Sequence, residues 1–334
     1  MAVTVAVDAN GADLGAAEVA AGAALAAARG VRVRLFGPAA ETGAPAPGVE
    51  VVDAPLSVAK DPDPARAVRA NPEASISQAA GAVSSGEADA LVAGGSTGAV
   101  LAAGLFEIKR ARGIYRPALA IPVPVPDHPV TLLDVGANAE VRSEHLVQFA
   151  YMGSAFATAV LGVDRPRVAL LSNGEEASRG TPAVVAAHEQ LAGGPGLHFV
   201  GNIEGTDLTN GAADVVVTDG FTGNIAIKLS EGVSATMISA IRSRVESSRR
   251  SKLGGLLMRP ALRGLRDELD PEASGGAYLL GLRSVVVVPH GRFTRRGYAN
   301  AILLAARAVE EDVARRTHAA LESAGALRRA GTAS

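Results

Sequence analysis

The sequence predicts an α/β fold: a doubly wound, largely parallel sheet in an α/β/α sandwich, with an inserted helical hairpin. Three observations lead there. Short β-branched runs alternate with Ala-rich segments at helical spacing, the pattern of right-handed βαβ crossovers. Runs such as Val285–Val288 are apolar throughout, as strands covered on both faces are. The runs end in polar, Gly-containing turns, which in such sheets lie where ligands bind.

Taken in order, Val3–Val7 is the first strand and leads through Asp8, Asn10, Gly11 and Asp13 to a helix over Ala16–Arg29. Val31–Phe36 and Val49–Val52 are the next strands, separated by the Pro/Gly loop Glu41–Gly48. Asp89–Ala93 leads into Gly94–Ala99 and a helix. Pro122–Pro129, with its prolines, reads as an irregular connection or edge element. Val130–Leu133 runs into Asp134, Gly136 and Asn138 and then a helix over Ser143–Leu161. Arg167–Leu171 leads to Asn173–Glu176, and Asp214–Thr218 to Asp219–Asn224 and another helix. Val285–Val288 leads to His290–Gly291 and one long final helix from about Tyr298. The chain is expected to form one large domain over residues 1–330, with the hairpin at 230–272 and a frayed tail at 326–334. The turns after the strands are all expected on one edge of the sheet, converging on a single cleft.

Composition narrows the chemistry. The chain is 48% hydrophobic and 20% charged with a net charge of -2, so it can bury a core and is not disordered. With no Cys it has no disulfides, thiolate metal site or thiol nucleophile. No apolar run spans a bilayer and no signal peptide stands at the start, which favours the cytoplasm. Near-neutral charge and the absence of Trp argue against nucleic acid as the partner. Only four lysines occur, Lys60, Lys109, Lys228 and Lys252, so each is worth inspecting.

The turns carry the candidate site. Gly94-Gly95-Ser96-Thr97-Gly98-Ala99 offers backbone N–H groups and two hydroxyls to an anion, without the spacing of a Walker or dinucleotide loop. Asp219-Gly220-Phe221-Thr222-Gly223-Asn224 repeats the idea, and one helical turn places Lys228 on the face of Asn224. Lys228 is suited to bind an anion or polarise a carbonyl, or else is a surface Lys. None of His128, His145, His188, His198, His290 and His318 has metal-ligand spacing to another. His290 alone follows a strand end and precedes a Gly, which makes it the acid/base candidate. Asp8, Asp134 and Asp219 at strand ends could ligate Mg²⁺ or hydrogen-bond nearby backbone amides. No nucleophile elbow is present. Phosphate attack on a thioester remains open to such a chain, because it needs positioning and oxyanion stabilisation more than proton abstraction.

Residues 242–266 differ from the rest. Arg242, Arg244, Arg249, Arg250, Lys252, Arg259, Arg263 and Arg266 stand against Glu246 alone. Leu253, Leu256, Leu257, Met258, Leu262 and Leu265 lie among them, with Gly254, Gly255 and Pro260 expected to interrupt a continuous helix. The pattern reads as a helical hairpin with an apolar tip and basic flanks. A solvated helix packed on the core or a dimer partner, a reversible contact with an anionic membrane, and docking of an acidic protein all fit it.

Taken together, the motifs resemble the acyl-(acyl-carrier-protein):phosphate acyltransferases of bacterial phospholipid synthesis. The stretches that carry the resemblance run in order along nearly the whole chain: AVDANGADLG from Ala6, GEADALVAGGSTGAV from Gly86, GIYRPALA from Gly113, LLDVGANAE from Leu132, QFAYMG from Gln148, RVALLSNGEE from Arg167, GNIEGTDL from Gly201, ADVVVTDGFTGNIAIKLSEG from Ala213 and SGGAYLLGL from Ser274, then HG at His290 and NAI at Asn300. The resemblance implies an α/β/α fold related to phosphotransacetylases and isocitrate-type dehydrogenases. It implies conversion of acyl-carrier-protein thioesters and inorganic phosphate to acyl phosphates, a homodimer, and peripheral membrane association through the hairpin. It calls for no cofactor. The chain departs from the family pattern at Ala12, Ala70–Ser75, Ser96, Tyr278, Arg292 and Phe293, and in Arg179-Gly180-Thr181.

On this reading Asn10, Gly11, Gly95, Ser96, Thr97, Gly98, Thr222, Gly223 and Asn224 bind substrate or phosphate. Lys228 and His290 are catalytic, with His290 protonating the leaving thiolate, and Asn138 steadies the oxyanion. Arg249, Arg250, Lys252, Leu253, Leu256 and Leu257 contact membrane or carrier protein. A non-catalytic or altered-substrate member that recruits carrier protein or lipid enzymes is one alternative. A nicotinamide-dependent dehydrogenase of related architecture is the other.

Overall fold

The computed structural model describes residues 2–123, 125, 130–268 and 270–328, with 265–267 described by their backbone alone. In chain order the elements begin β1 (Thr4–Asp8), α1 (Ala16–Ala27), β2 (Arg32–Gly37), α2 (Ala39–Thr42), β3 (Val49–Asp53), α3 (Pro64–Ala70), α4 (Ser75–Ser84), β4 (Ala90–Ala93) and α5 (Thr97–Ala103). A π turn (Gly104–Ile108) follows, then β5 (Ala118–Val123), β6 (Val130–Leu133), α6 (Ser143–Leu161), β7 (Arg167–Leu171), α7 (Pro182–Ala192) and β8 (His198–Ile203). After a 3₁₀ turn (Gly205–Thr209) come β9 (Val215–Val217), α8 (Gly220–Glu246), α9 (Arg249–Glu268), α10 (Pro271–Ser274), β10 (Ala277–Leu280), β11 (Val285–Val288), α11 (Arg295–Glu310) and α12 (Val313–Ser323).

The strands join one mixed sheet in the order β3-β2-β1-β4-β11-β10-β5-β6-β9-β7-β8. Alternate side chains of each strand feed separate cores. Val5 and Val7 pack with Val19 of α1, Phe149 of α6 and Ile302 of α11. Ala6 and Leu91 pack on the opposite face with Val68 of α3, Ile76 of α4 and Val100 of α5. Period-two alternation in strands buried on both faces accounts for this three-layer α/β/α sandwich.

The direction of the strands differs from expectation, and this bears on the site. β10 is antiparallel to both β11 and β5, and β5 is antiparallel to both β10 and β6. Hence β1, β4 and β11 run one way, and β6, β9 and β7 run the other. The polar turns therefore leave by two opposite edges of the sheet, not by one. The physical reason is the length of the links: only residues 281–284 separate β10 from β11, too few for the crossover that a parallel pair needs.

The hairpin also differs. It occupies α8 and α9, residues 220–268, and turns at Ser247-Ser248. Its apex is polar and basic, and Leu253, Leu256, Leu257 and Met258 lie exposed along α9. Gly254, Gly255 and Pro260 all sit inside one helix. Gly255 is there because a Cβ would strike Val245 of α8, so its absence lets the two helices close on each other. Side chains of Leu265 and Arg266 lie outside the described residues, as does most of the Pro-rich segment. The final helix is two helices, because Asp312 adopts a left-handed φ of 54° between α11 and α12. The expected tail is docked at its start: Ala326 and Leu327 pack on the core, and Arg328 N donates to Gly113 O at 2.8 Å. Residues 329–334 lie outside the described residues. Among the described residues no helix is long and apolar enough to cross a membrane.

Candidate functional site

At one edge of the sheet three turns interlock. A Cβ on Gly11 would fall on the carbonyl oxygen of Gly94, and one on Gly95 would fall on that of Gly11, so both turns are restricted to glycine by backbone contact. Gly94 also abuts Pro289 O, and Asp13 N donates to Gly291 O at 2.8 Å, which draws in the His290 turn. Asn10 is spent on structure: its Nδ2 donates to Ala54 O at 2.8 Å, and its carbonyl accepts Ser57 Oγ at 3.1 Å. Beneath the turns Asp8 is buried and accepts Asn10 N at 3.1 Å. Burial raises its carboxyl to about 6 against the bonds from Ser75 and Asn10. Ser96 caps α5, its Oγ accepting Ala99 N at 3.3 Å, and Thr97 and Gly98 begin the helix with unclaimed N–H groups.

At the opposite edge two turns interlock around Asp134. This buried carboxylate accepts Leu119 N at 3.0 Å, Gly136 N at 3.2 Å, Ala137 N at 3.0 Å, Asn138 N at 2.7 Å and Asn138 Nδ2 at 2.8 Å. Burial pushes its pKa up, opposed by those donors. Asn138 gives its other amide hydrogen to Pro117 O at 2.7 Å. Both amide hydrogens are thus in use, and Asn138 holds the turn instead of steadying an oxyanion. Gly220 N donates to Asn138 O at 2.7 Å, and a Cβ on Gly223 would fall on Asp134 O. Asp219 caps α8 through Thr222 N at 2.8 Å and Thr222 Oγ1 at 2.7 Å, so the Thr222 hydroxyl is also spent. Asn224 is exposed on the next turn. Asp8, Asp134 and Asp219 therefore serve backbone amides, as one of their two expected readings had it.

α8 joins the two edges. Starting at the Asp134 cluster, it places Lys228 Nζ 3.4 Å from His290 Nε2 and 3.3 Å from Glu231 Oε2. His290 Nδ1 accepts Arg292 N at 3.2 Å, so in the neutral ring the proton is on Nε2. Packing around the ring, then the Lys228 charge, lowers the His290 pKa. Two donors, Nε2–H and the ammonium, thus face each other at hydrogen-bond range. There is no room for an anion between them at this separation, but an anion oxygen at their common edge would accept from both. The pair lies beside Pro289 and Gly94, next to the Gly95–Gly98 loop.

The basic residues Arg249, Arg250 and Lys252 and the leucines Leu253, Leu256 and Leu257 stand exposed on α9, which turns back alongside the end of α8 far from this pair. From Lys228 to the hairpin turn α8 extends about 27 Å at 1.5 Å per residue. Sequence reasoning missed Tyr298, whose buried hydroxyl lies under Gly94 without a hydrogen-bond partner. Its place 204 positions from Gly94 leaves no local signal.

The doubly wound sandwich shares its fold with solved phosphotransacylases. The phosphotransacetylase EutD of Staphylococcus aureus superposes with a TM-score of 0.60 at 19% identity, over 92% of this chain and 94% of its own. A branched-chain phosphotransacylase of Enterococcus faecalis gives 0.55 at 16% identity, over 92% and 99%. The chain itself belongs to the family described as Fatty acid synthesis protein, matched over residues 3–316, which here comprises acyltransferases. A phosphate acyltransferase of Pelotomaculum thermopropionicum is 40% identical over 326 residues, 96% of this chain and 95% of its own. One of Latilactobacillus sakei is 46% identical over 244 residues, 72% of each chain.

Proposed function

We propose that the chain transfers an acyl group from the thioester of an acyl carrier protein to inorganic phosphate, and so makes acyl phosphate for phospholipid synthesis. The observation that carries the site assignment is the meeting of Lys228, which Glu231 also flanks, with the Nε2 edge of His290. Phosphate fits there, held also by the backbone N–H groups of Thr97 and Gly98 and by Asn224. One phosphate oxygen attacks the thioester carbonyl; the C–O bond forms and the C–S bond breaks. A thiol of pKa about 8.5 is a good leaving group, so the proton of the hydrogen phosphate can end on the departing thiolate. With Nδ1 engaged, His290 acts as an Nε2–H donor to phosphate more readily than as the proton source first expected.

Family membership favours this reading over a dehydrogenase or a non-catalytic recruiter. The homodimer, the cytoplasmic location and the peripheral membrane contact through α9 belong to the same proposal. Exposed leucines beside cations on α9 support the membrane contact.

The test is phosphate-dependent consumption of a long-chain acyl-carrier-protein thioester, with acyl phosphate detected by mass. Product is expected from the wild type. Thioester binding without product would point to another acceptor or to recruitment alone. Unchanged turnover in Lys228→Ala and His290→Ala would overturn the site.

A further inference from the structure

A concave site lies away from the donor pair. A cleft of about 630 Å³ opens between the end of α3 and the π turn, lined by Leu105 and Phe106 together with Arg69, Lys109, Arg110 and Arg328. Glu107 is the one acid among its lining residues. Among the described residues no carboxylate lies within ion-pair distance of Arg69, Lys109 or Arg110. The loop continues with Arg112 and Arg116 and contains no acid over residues 109–116. In a chain of net charge -2, this concentration of cations is a feature that the site above does not use.

The Arg69 side chain and the backbone that carries the other cations are held in place. The Arg69 guanidinium lies 4.7 Å over the Phe106 ring. Lys109 is fixed at a left-handed φ of 70° by its N–H to Gly104 O at 2.8 Å and its carbonyl to Arg283 N at 3.0 Å. Buried Gln148 pins the loop behind it, accepting Tyr115 N at 2.8 Å and donating to Gly113 O at 2.9 Å. Cations on an ordered backbone among apolar side chains suit a protein interface. A small anion would call for donors converging on one point, and these are spread over α3, the π turn and the loop. A membrane would call for an exposed apolar side chain to insert, and no large apolar residue of the cleft is exposed.

The location links the cleft to the chemistry. α5 starts at the Ser96–Thr97 loop and runs into the π turn, so its length of about 10 Å separates that loop from the cleft. The basic loop continues to Pro117, whose carbonyl anchors Asn138 of the other cluster. We infer that this cleft docks an acidic face of the protein that carries the acyl thioester, so that its thioester arm reaches the phosphate site. The inference rests on the acyltransferase reading.

The test compares one acyl group on two donors: the carrier protein and pantetheine, which has no protein surface. In Arg69→Glu/Lys109→Glu, KM for the carrier-borne thioester should rise at least tenfold with kcat kept. KM for the acyl-pantetheine should stay within twofold. Raising NaCl should increase the wild-type carrier KM and affect the variant less. The milder Arg69→Gln/Lys109→Gln should show a smaller rise in the same direction, and serves if the charge reversal lowers the melting temperature. An unchanged carrier KM, or equal rises for both donors, overturns the docking site. So does loss of binding to phosphatidylglycerol vesicles with the carrier KM unchanged, which would assign the cleft to lipid. Wild-type protein inert toward both donors would instead sink the acyltransferase reading.

Discussion

In the proposed site, Lys228 and His290 are two exposed residues whose chemistry depends on what faces them. The ammonium depresses the imidazole pKa, so Lys228→Met should raise it, as followed by the His290 Cε1–H resonance across a pH titration. The same variant should lose on the order of 10²-fold in turnover, the usual cost of one transition-state donor. Asp8 permits a stability prediction. Its pKa is about 6 in the fold against the ordinary carboxyl value of 3.8, so the native state binds its proton more tightly. This group therefore adds stability as pH falls from above 6 toward 4, and costs on the order of 3 kcal/mol above that window. Asp8→Asn should flatten that part of the melting-temperature profile and raise the melting temperature at pH 8. Among the candidate site residues, the Gly-rich turns were legible because their composition and local spacing stand in the sequence, whereas the approach of Lys228 to His290 spans 62 positions and has no local signal. The structural duty of Asn138 was not legible either, since its partner carbonyl belongs to Pro117 on another segment. Nor was the Arg69–Phe106 stack, which joins two helical segments.

At the scale of elements, the runs flanked by glycine and polar residues were legible almost to the residue: Ser143–Leu161, Arg167–Leu171 and Val285–Val288 stand where their patterns put them. β5, β8 and β10 escaped because they are short or mixed in composition and depend on neighbours for pairing. α9 was misread for a different reason. Gly and Pro oppose helix locally, but packing against α8 overrides them, and only contact with Val245 reveals the use of Gly255. Pro260 retains its cost, because its missing N–H leaves a gap in the helix ladder. Pro260→Ala should strengthen α9 by up to about 3 kcal/mol, seen as slower amide exchange along that helix, with turnover on a soluble donor unchanged.

For the whole molecule, the unexpected feature is the reversal of the sheet at β10 and β5. It splits the turns between two edges and makes α8 the part that brings them into one site. Close approach at the start of α8 then governs chemistry two turns away. Gly223→Ala should displace the helix from Asp134 O and cost on the order of 10²-fold in kcat through misplacement of Lys228. Gly232→Ala, on the same helix with open space around its Cβ, should instead stabilise by about 0.5–1 kcal/mol and leave kcat intact. Together the two variants separate positioning from helix strength.

The place of β10 and β11 in the sheet also has a consequence for synthesis. The two strands that lie between β4 and β5 come from residues 277–288, near the end of the 334-residue chain. Chains emerge from the ribosome amino terminus first, and their parts can fold as they appear. The strands made earlier can assemble as two flanking groups, but the span between them stays open until translation is almost complete. His290 emerges with the closing strands. On the proposed site, a nascent or truncated chain that lacks them has the Ser96–Thr97 loop and Lys228 but not His290, so activity is expected only once the sheet is closed.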